Sequence, residues 1–507
     1  MAAESARAHH QVTFAVLSAG VAAFALLQSL VIPVLTTVQH ELHTTQGAAT
    51  WVLTAYLLSA SIMTPILGRL GDMIGKKRVF VATLVALAIG SLLAAVAPSI
   101  GVLIVARVIQ GIAGGMLPVA FGIIRDEFPA QRVAGAVGSI AALTAVGAGL
   151  GIVLAGPIVD VLGYHWLFWL PMILTVIAAV SAILVVPESP VRAPGRISWL
   201  PALLLSAWLV ALLVALSEAP EWGWGSSRAI GLLAGAVVLA AGWVIAELRA
   251  ATPVIDMKMM RRTAVWTNNL VALLIGVGMY ATFAFLPEFV QTPTQAGYGF
   301  GASITRSGLM LLPSAVTMFA VGIFAGRLTR KLGGKVLVMA GCLIGAVSLA
   351  ILAFAHAHEW EIFLSSAIMG VGFGLAFSAM SALIVAAVPA GQTGVASGMN
   401  ANIRTIGGSI GAAVMASIVT SQLEPSGLPR ESGYTTGFAV MAAGLVLAAL
   451  AGVLIPSARG VRRAADALGH AEVATAAGGS LAGGSLAGGS LAGGSLAGGS
   501  LAGGTTE

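Results

Sequence analysis

Gly68-Arg-Leu-Gly-Asp-Met-Ile-Gly-Lys-Lys-Arg78 is a charged stretch punctuated by glycine, and 258 residues later its outline returns as Gly326-Arg-Leu-Thr-Arg-Lys-Leu-Gly-Gly-Lys335. A second echo keeps almost the same displacement. Pro129-Ala130 with Ala136 and Gly138 returns 260 residues on as Pro389-Ala390 with Ala396 and Gly398. Two markers repeating in step point to a chain built from two matching halves, an arrangement many secondary transporters use for alternating access.

What flanks these markers is apolar. Hydrophobic residues make up 58% of the 507 and charged residues only 9%, against about 25% charged in soluble domains, so a soluble core is excluded. The apolar residues fall in blocks of roughly 20, the length of a helix crossing a bilayer, where a helix satisfies its own backbone. Fourteen spans are expected, at about 12–36, 48–67, 79–97, 101–124, 135–159, 166–186, 198–217, 229–248, 266–290, 307–326, 336–355, 360–388, 399–421 and 434–456. The first is read as a span and not a cleaved leader, since it is full length and no cleavage pattern follows it. The expected organisation is a cytoplasmic N-terminus (1–11), a six-helix half (12–186), a linker carrying two inserted spans (187–265), a second six-helix half (266–456) and a cytoplasmic tail (457–507). Within the tail, 478–502 repeats Gly-Gly-Ser-Leu-Ala five times without charge, as a flexible linker does.

Charge sets the orientation. With the N-terminus inside, 21 of the 25 Lys and Arg, Arg69, Lys76, Arg330 and Arg404 among them, fall to inner segments. Arg228, Arg306 and Arg430 fall outside, and Arg107 alone is left within a span. This asymmetry places both termini in the cytoplasm of a plasma or bacterial inner membrane. The net charge of +6 is scattered singly and so does not indicate nucleic acid. The single cysteine, Cys342, excludes a disulfide framework within the chain. No metal site is expected, because His40, His43, His165, His356 and His358 all fall in outer loops. No Ser/His/Asp or phosphate-binding constellation lies at membrane depth, which argues against an enzyme.

The stretch Gly68 to Arg78 resembles the signature loop of the major facilitator superfamily, and the fourteen-span layout resembles its drug:proton antiporter branch, from about Thr13 to Pro456. The resemblance implies the major facilitator fold and a conformational latch of Gly68, Arg69, Asp72, Gly75, Lys76 and Arg78, with Asp72 anchoring a cytoplasmic charge network. Arg330 stands where the second copy would carry that acid, so the latch is expected to be one-sided. Leu103 to Gly111 resembles the fourth-helix motif, whose arginine the family associates with proton coupling; here these are Arg107, Gln110 and Gly111. A buried Arg needs a partner. Arg107 should lie roughly 9 Å below the outer surface, in the outer leaflet it shares with Asp160 and Glu288, the two candidate proton carriers.

Gly147, Gly149, Gly151, Gly156 and Pro157 resemble the glycine-rich antiporter motif, although Ile152 occupies its usual proline position. The first span departs further, with Phe24 where relatives often carry an Asp and Gln28 the strongly polar residue nearby. Gln28, Trp51, Tyr56 and Tyr280 are candidate cavity walls. The expected function is export of small hydrophobic or amphipathic compounds by a monomer in the lipid bilayer, driven by the proton gradient without a cofactor. An uptake porter of the same fold and a transport-inactive sensor are the alternatives.

Overall fold

The computed structural model describes residues 2–31, 34–189, 198–421, 424 and 428–456. Pro33, Arg192, Arg196 and the whole tail from residue 457, including its repeat, lie outside the described residues. Seventeen α-helices follow one another, and no β-sheet occurs among the described residues. They are α1 Ala2–Leu30, α2 Leu35–Glu41, α3 Gln46–Ile74, α4 Lys76–Ala95, α5 Ile100–Gly111, α6 Met116–Glu127, α7 Ala130–Leu162, α8 Trp166–Val185 and α9 Trp199–Trp222. The chain continues with α10 Ser227–Arg249, α11 Met257–Met260, α12 Thr263–Gln291, α13 Ile304–Leu332, α14 Gly334–Phe354, α15 Glu359–Ala387, α16 Thr393–Thr420 and α17 Glu431–Gly452.

Among the described residues fourteen stretches are long and apolar enough to cross a membrane, each overlapping an expected span; α5 and α6 join through a 3-10 turn into one of them. The first half packs α1 on α7 and α8, α4 on α5 and α8, and α3 on α5. The second repeats that plan with α12 on α16 and α17, α14 on α15 and α17, and α13 on α15. The inserted α9 and α10 pack on each other, and α9 also touches α3 and α16. Across the seam between halves, α13 lies along α7, while α16 meets α3 and α6.

Three expectations need correction. The Gly68–Arg78 stretch is not a loop: α3 runs on through Ile74 and α4 begins at Lys76, with Gly75 alone breaking the helix. Gly75 has φ +120°, a left-handed conformation open to glycine and strained for other residues. The first span closes at Leu30 and not near residue 36, with Leu35–Glu41 forming a separate short helix. Arg404 is no surface charge of the inner side, because it lies eleven residues into α16 and is buried. Glu247, at the end of α10, is buried too; it accepts the Trp243 indole N–H and the Ile255 backbone N–H, both at 3.2 Å, and so ties the connector after α10 to that helix.

Candidate functional site

At the end of the molecule that carries most of the basic residues, α3 and α16 cross in backbone contact. A Cβ on Gly68 would stand 2.5 Å from the Gly394 carbonyl oxygen, and one on Gly394 would stand 2.5 Å from that of Gly68. This closeness brings the last turn of α3 under the first turn of α16. There the fully buried Asp72 accepts the backbone N–H groups of Gly394 at 3.3 Å and Val395 at 3.2 Å. Those N–H groups have no acceptor within their own helix, and the positive end of the helix dipole favours the carboxylate. The residues that sequence reading grouped around Asp72 divide between tasks. The Lys76 ammonium is 3.9 Å from Asp72 but 2.5 Å from Asp126 of α6. Arg78 pairs at 3.4 Å with Glu188, and Arg69 lines a cavity of about 190 Å³ with the connector after α10, Gln392 and Val395. Arg125, which the motif did not single out, donates to Thr393 Oγ1 at 2.9 Å and to the Val385 carbonyl, and so adds further bonds across the seam.

The matching contact in the other copy lacks the acid. Gly326 meets Gly135 backbone to backbone, and the exposed Arg330 donates to the Gln131 carbonyl at 3.1 Å.

Toward the opposite end, Arg107 is fully buried. Its Nε donates to the Val52 carbonyl at 3.1 Å, its Nη1 to Gln110 Oε1 at 2.8 Å, and its guanidinium lies 4.3 Å from the centre of the Tyr56 ring. Gln110 in turn donates to Ser91 Oγ at 3.1 Å. Gly111 lets α5 press against α3, since a Cβ there would be 2.7 Å from the Tyr56 carbonyl oxygen. Neither candidate proton carrier is a partner of Arg107. Asp160 is exposed near the end of α7, and Glu288 accepts the Tyr434 hydroxyl at 2.8 Å within the second half. Around Glu288 stands an aromatic cluster in which Phe289 meets Tyr298, His356, Tyr434 and Phe438. His356 is therefore not a water-solvated loop residue: its side chain is 12% exposed and 2.8 Å from Glu431.

Glycines on α7 serve both its neighbours. Gly147 and Gly151 face α1, against Ala25 and Ser29, while Gly149 and Gly156 face α13, against Ala315 and Thr305. Pro157 sits inside the helix near its end. Of the proposed wall residues, Trp51 is 37% exposed, Gln28 and Tyr280 are half-buried, and Tyr56 is buried with Phe24 beside it. Tyr56 and Tyr280 lie within electrostatic reach of each other across the seam, and the Tyr280 ring packs over Gly408, one turn along α16 from Arg404, whose guanidinium stands 4.2 Å from the Phe377 ring centre. Sequence reading missed this role of Arg404, although its place within an apolar run was the available signal.

Known proteins agree with this architecture. The chain is 29% identical over 412 residues to the multidrug resistance protein B homolog of Mycobacterium tuberculosis, covering 78% of this chain and 75% of that protein. It is 26% identical over 415 residues to the tetracenomycin C resistance and export protein of Streptomyces glaucescens, covering 81% and 76%. In three dimensions it matches the crystal structure of the human organic anion transporter MFSD10 with a TM-score of 0.64 and 15% identity, over 87% of this chain and 99% of that one. The family model described as Major Facilitator Superfamily matches residues 17–412, and the chain belongs to that family of membrane transporters.

Proposed function

We propose that this protein exports small hydrophobic or amphipathic compounds across a bacterial inner membrane in exchange for protons, with both termini in the cytoplasm. The observation that carries this reading is the bond from Asp72 to the first turn of α16, a charge-dependent clasp that joins the two halves at their basic end. In this reading Gly68, Arg69, Asp72, Gly75, Lys76 and Arg78 hold the cytoplasmic side shut while substrate leaves outward. Arg107, Gln110 and Gly111 form the rigid side of the coupling route, and Asp160 or Glu288 carries the proton. The α7 glycines provide a smooth seam, and Gln28, Trp51, Tyr56 and Tyr280 line the path. The names of the bacterial relatives support export of drug-like compounds.

The test is efflux of a panel of dyes and antibiotics from cells with and without the protein, repeated with a protonophore. Faster loss that the protonophore abolishes is the expected result. Faster accumulation would replace export by uptake, and absence of both efflux and counterflow in proteoliposomes would remove transport altogether.

A further inference from the structure

Two arginines stand at membrane depth, one in each half, with no counter-charge among the described residues. Arg107 is fully buried and Arg404 is 7% exposed. The ion pairs among the described residues engage other cations. Carboxylates that could have served are committed or turned away: Asp72 to α16, Glu288 to Tyr434, and Asp160 to the exposed surface. Aromatic faces and carbonyl oxygens stabilise the two guanidiniums only in part, because neither carries a full negative charge.

Between the arginines stand two tyrosines. Tyr56 is eighteen residues from the basic end of α3 and Tyr280 seventeen from the start of α12, so both lie on the order of 25 Å from that end at 1.5 Å per residue. Arg404 lies one turn below this level on α16, beneath Gly408, over which the Tyr280 ring packs; a Cβ on that glycine would come within 2.7 Å of the ring. Three buried donors on these side chains have no hydrogen-bond partner among the described residues: Arg107 Nη2, the Tyr56 hydroxyl and Arg404 Nε. Buried donors left unpaired are costly, and three around one seam amount to a site built for an acceptor. The acceptor that also removes the unbalanced charge is an anion.

We propose that the place where α3, α12 and α16 meet binds the anionic group, a carboxylate or phenolate, of an amphipathic substrate, with Arg404 and Arg107 as its charge partners and Tyr56 and Tyr280 as hydroxyl donors. The inference rests on the export reading and names its substrate class. It also gives the apolar residue Phe24 a rationale: a site built to hold an anion gains nothing from an acid in α1. A negative-inside membrane potential would then help to drive the substrate outward.

Fluorescein and rhodamine 6G share a xanthene ring and carry opposite charge, so they isolate the charge preference. Their binding to the purified full chain in detergent is measured by fluorescence polarisation, with size-exclusion profiles confirming that each variant is folded. Fluorescein should bind about tenfold more tightly than rhodamine 6G. Arg404→Gln should erase that preference by weakening fluorescein alone, whereas Arg404→Lys, which keeps the charge, should retain most of it. Tyr280→Phe, the milder variant, should weaken fluorescein and leave rhodamine 6G unchanged. Equal or tighter binding of rhodamine 6G by the native chain, or unchanged fluorescein affinity in folded Arg404→Gln, overturns the anion site. Efflux of both dyes from proteoliposomes is scored separately: if the native chain moves neither, the export reading falls while the binding comparison still decides the anion site.

Discussion

A carboxylate as deeply buried as Asp72 is tolerable because two N–H groups at a helix start and the Lys76 ammonium surround it. Asp72→Asn turns one of its two acceptor oxygens into a donor facing a donor and removes the charge. On the order of 2–3 kcal/mol of clasp should be lost, and transport should drop at least about tenfold at equal abundance. Native-like efflux by the variant would remove Asp72 from the gate. Arg330→Gln should cost far less, since the exposed Arg330 gives up one bond to a carbonyl. Equal losses at both positions would show a symmetric latch. For coupling, Asp160→Asn and Glu288→Gln are compared in gradient-driven efflux and in gradient-free counterflow. The proton carrier should lose the first and keep the second, and if neither variant behaves so, proton exchange is ruled out at these residues. The importance of Asp72 could be read from its charged neighbours, but its partners could not. Gly394 and Val395 offer backbone N–H groups, which leave no mark in a side-chain pattern and lie more than 300 residues away.

At the scale of an element, α7 shows what glycine does where no hydrophobic effect draws helices together. Its small residues were legible as a close-packed seam. Which neighbour each one meets was not, because a membrane helix is apolar on every side and its sequence does not single out the face it buries. The structure separates them. Gly151 meets Ser29 of α1 within the first half, and Gly149 meets Ala315 of α13 across the seam between halves. Overpacking costs about 1–3 kcal/mol wherever it occurs, but its consequence depends on what it pushes apart. Gly151→Leu should lower the melting temperature of the purified protein by several degrees. Gly149→Leu should leave stability closer to native and reduce the transport rate, because it obstructs a surface that must slide. Thermal unfolding and efflux measured on the same preparations decide the matter, and identical behaviour of the two variants would mean that α7 and α13 move as one body.

For the whole molecule, fourteen spans and two matched halves could be read in advance, since span length and charge asymmetry are one-dimensional quantities that bilayer thickness and topology impose on any such chain. Depth and facing are three-dimensional, which is why Arg404 passed for an inner-surface charge and His356 for a solvated loop residue. The packed contacts support a gate at the basic end: Gly68 against Gly394, Gly326 against Gly135, and Asp72 under α16. Ser61 lies two turns above Gly68 on α3 and is only 4% exposed, so a thiol placed there reports whether that gate is open. In a Cys342→Ser background, Ser61→Cys should react slowly with a membrane-impermeant maleimide applied from the cytoplasmic side of inverted vesicles. Adding Asp72→Asn should speed labelling about tenfold or more, because a loss on the order of 1.4 kcal/mol shifts a two-state population tenfold. Reagent applied from the opposite side should label the same thiol more slowly in the Asp72→Asn protein than in its parent, because opening one side of an alternating-access transporter closes the other. If both sides speed up together, the substitution has loosened the bundle and the clasp is structural. If neither changes, the halves are held at their basic end by glycine packing, and the charge at Asp72 serves some other step.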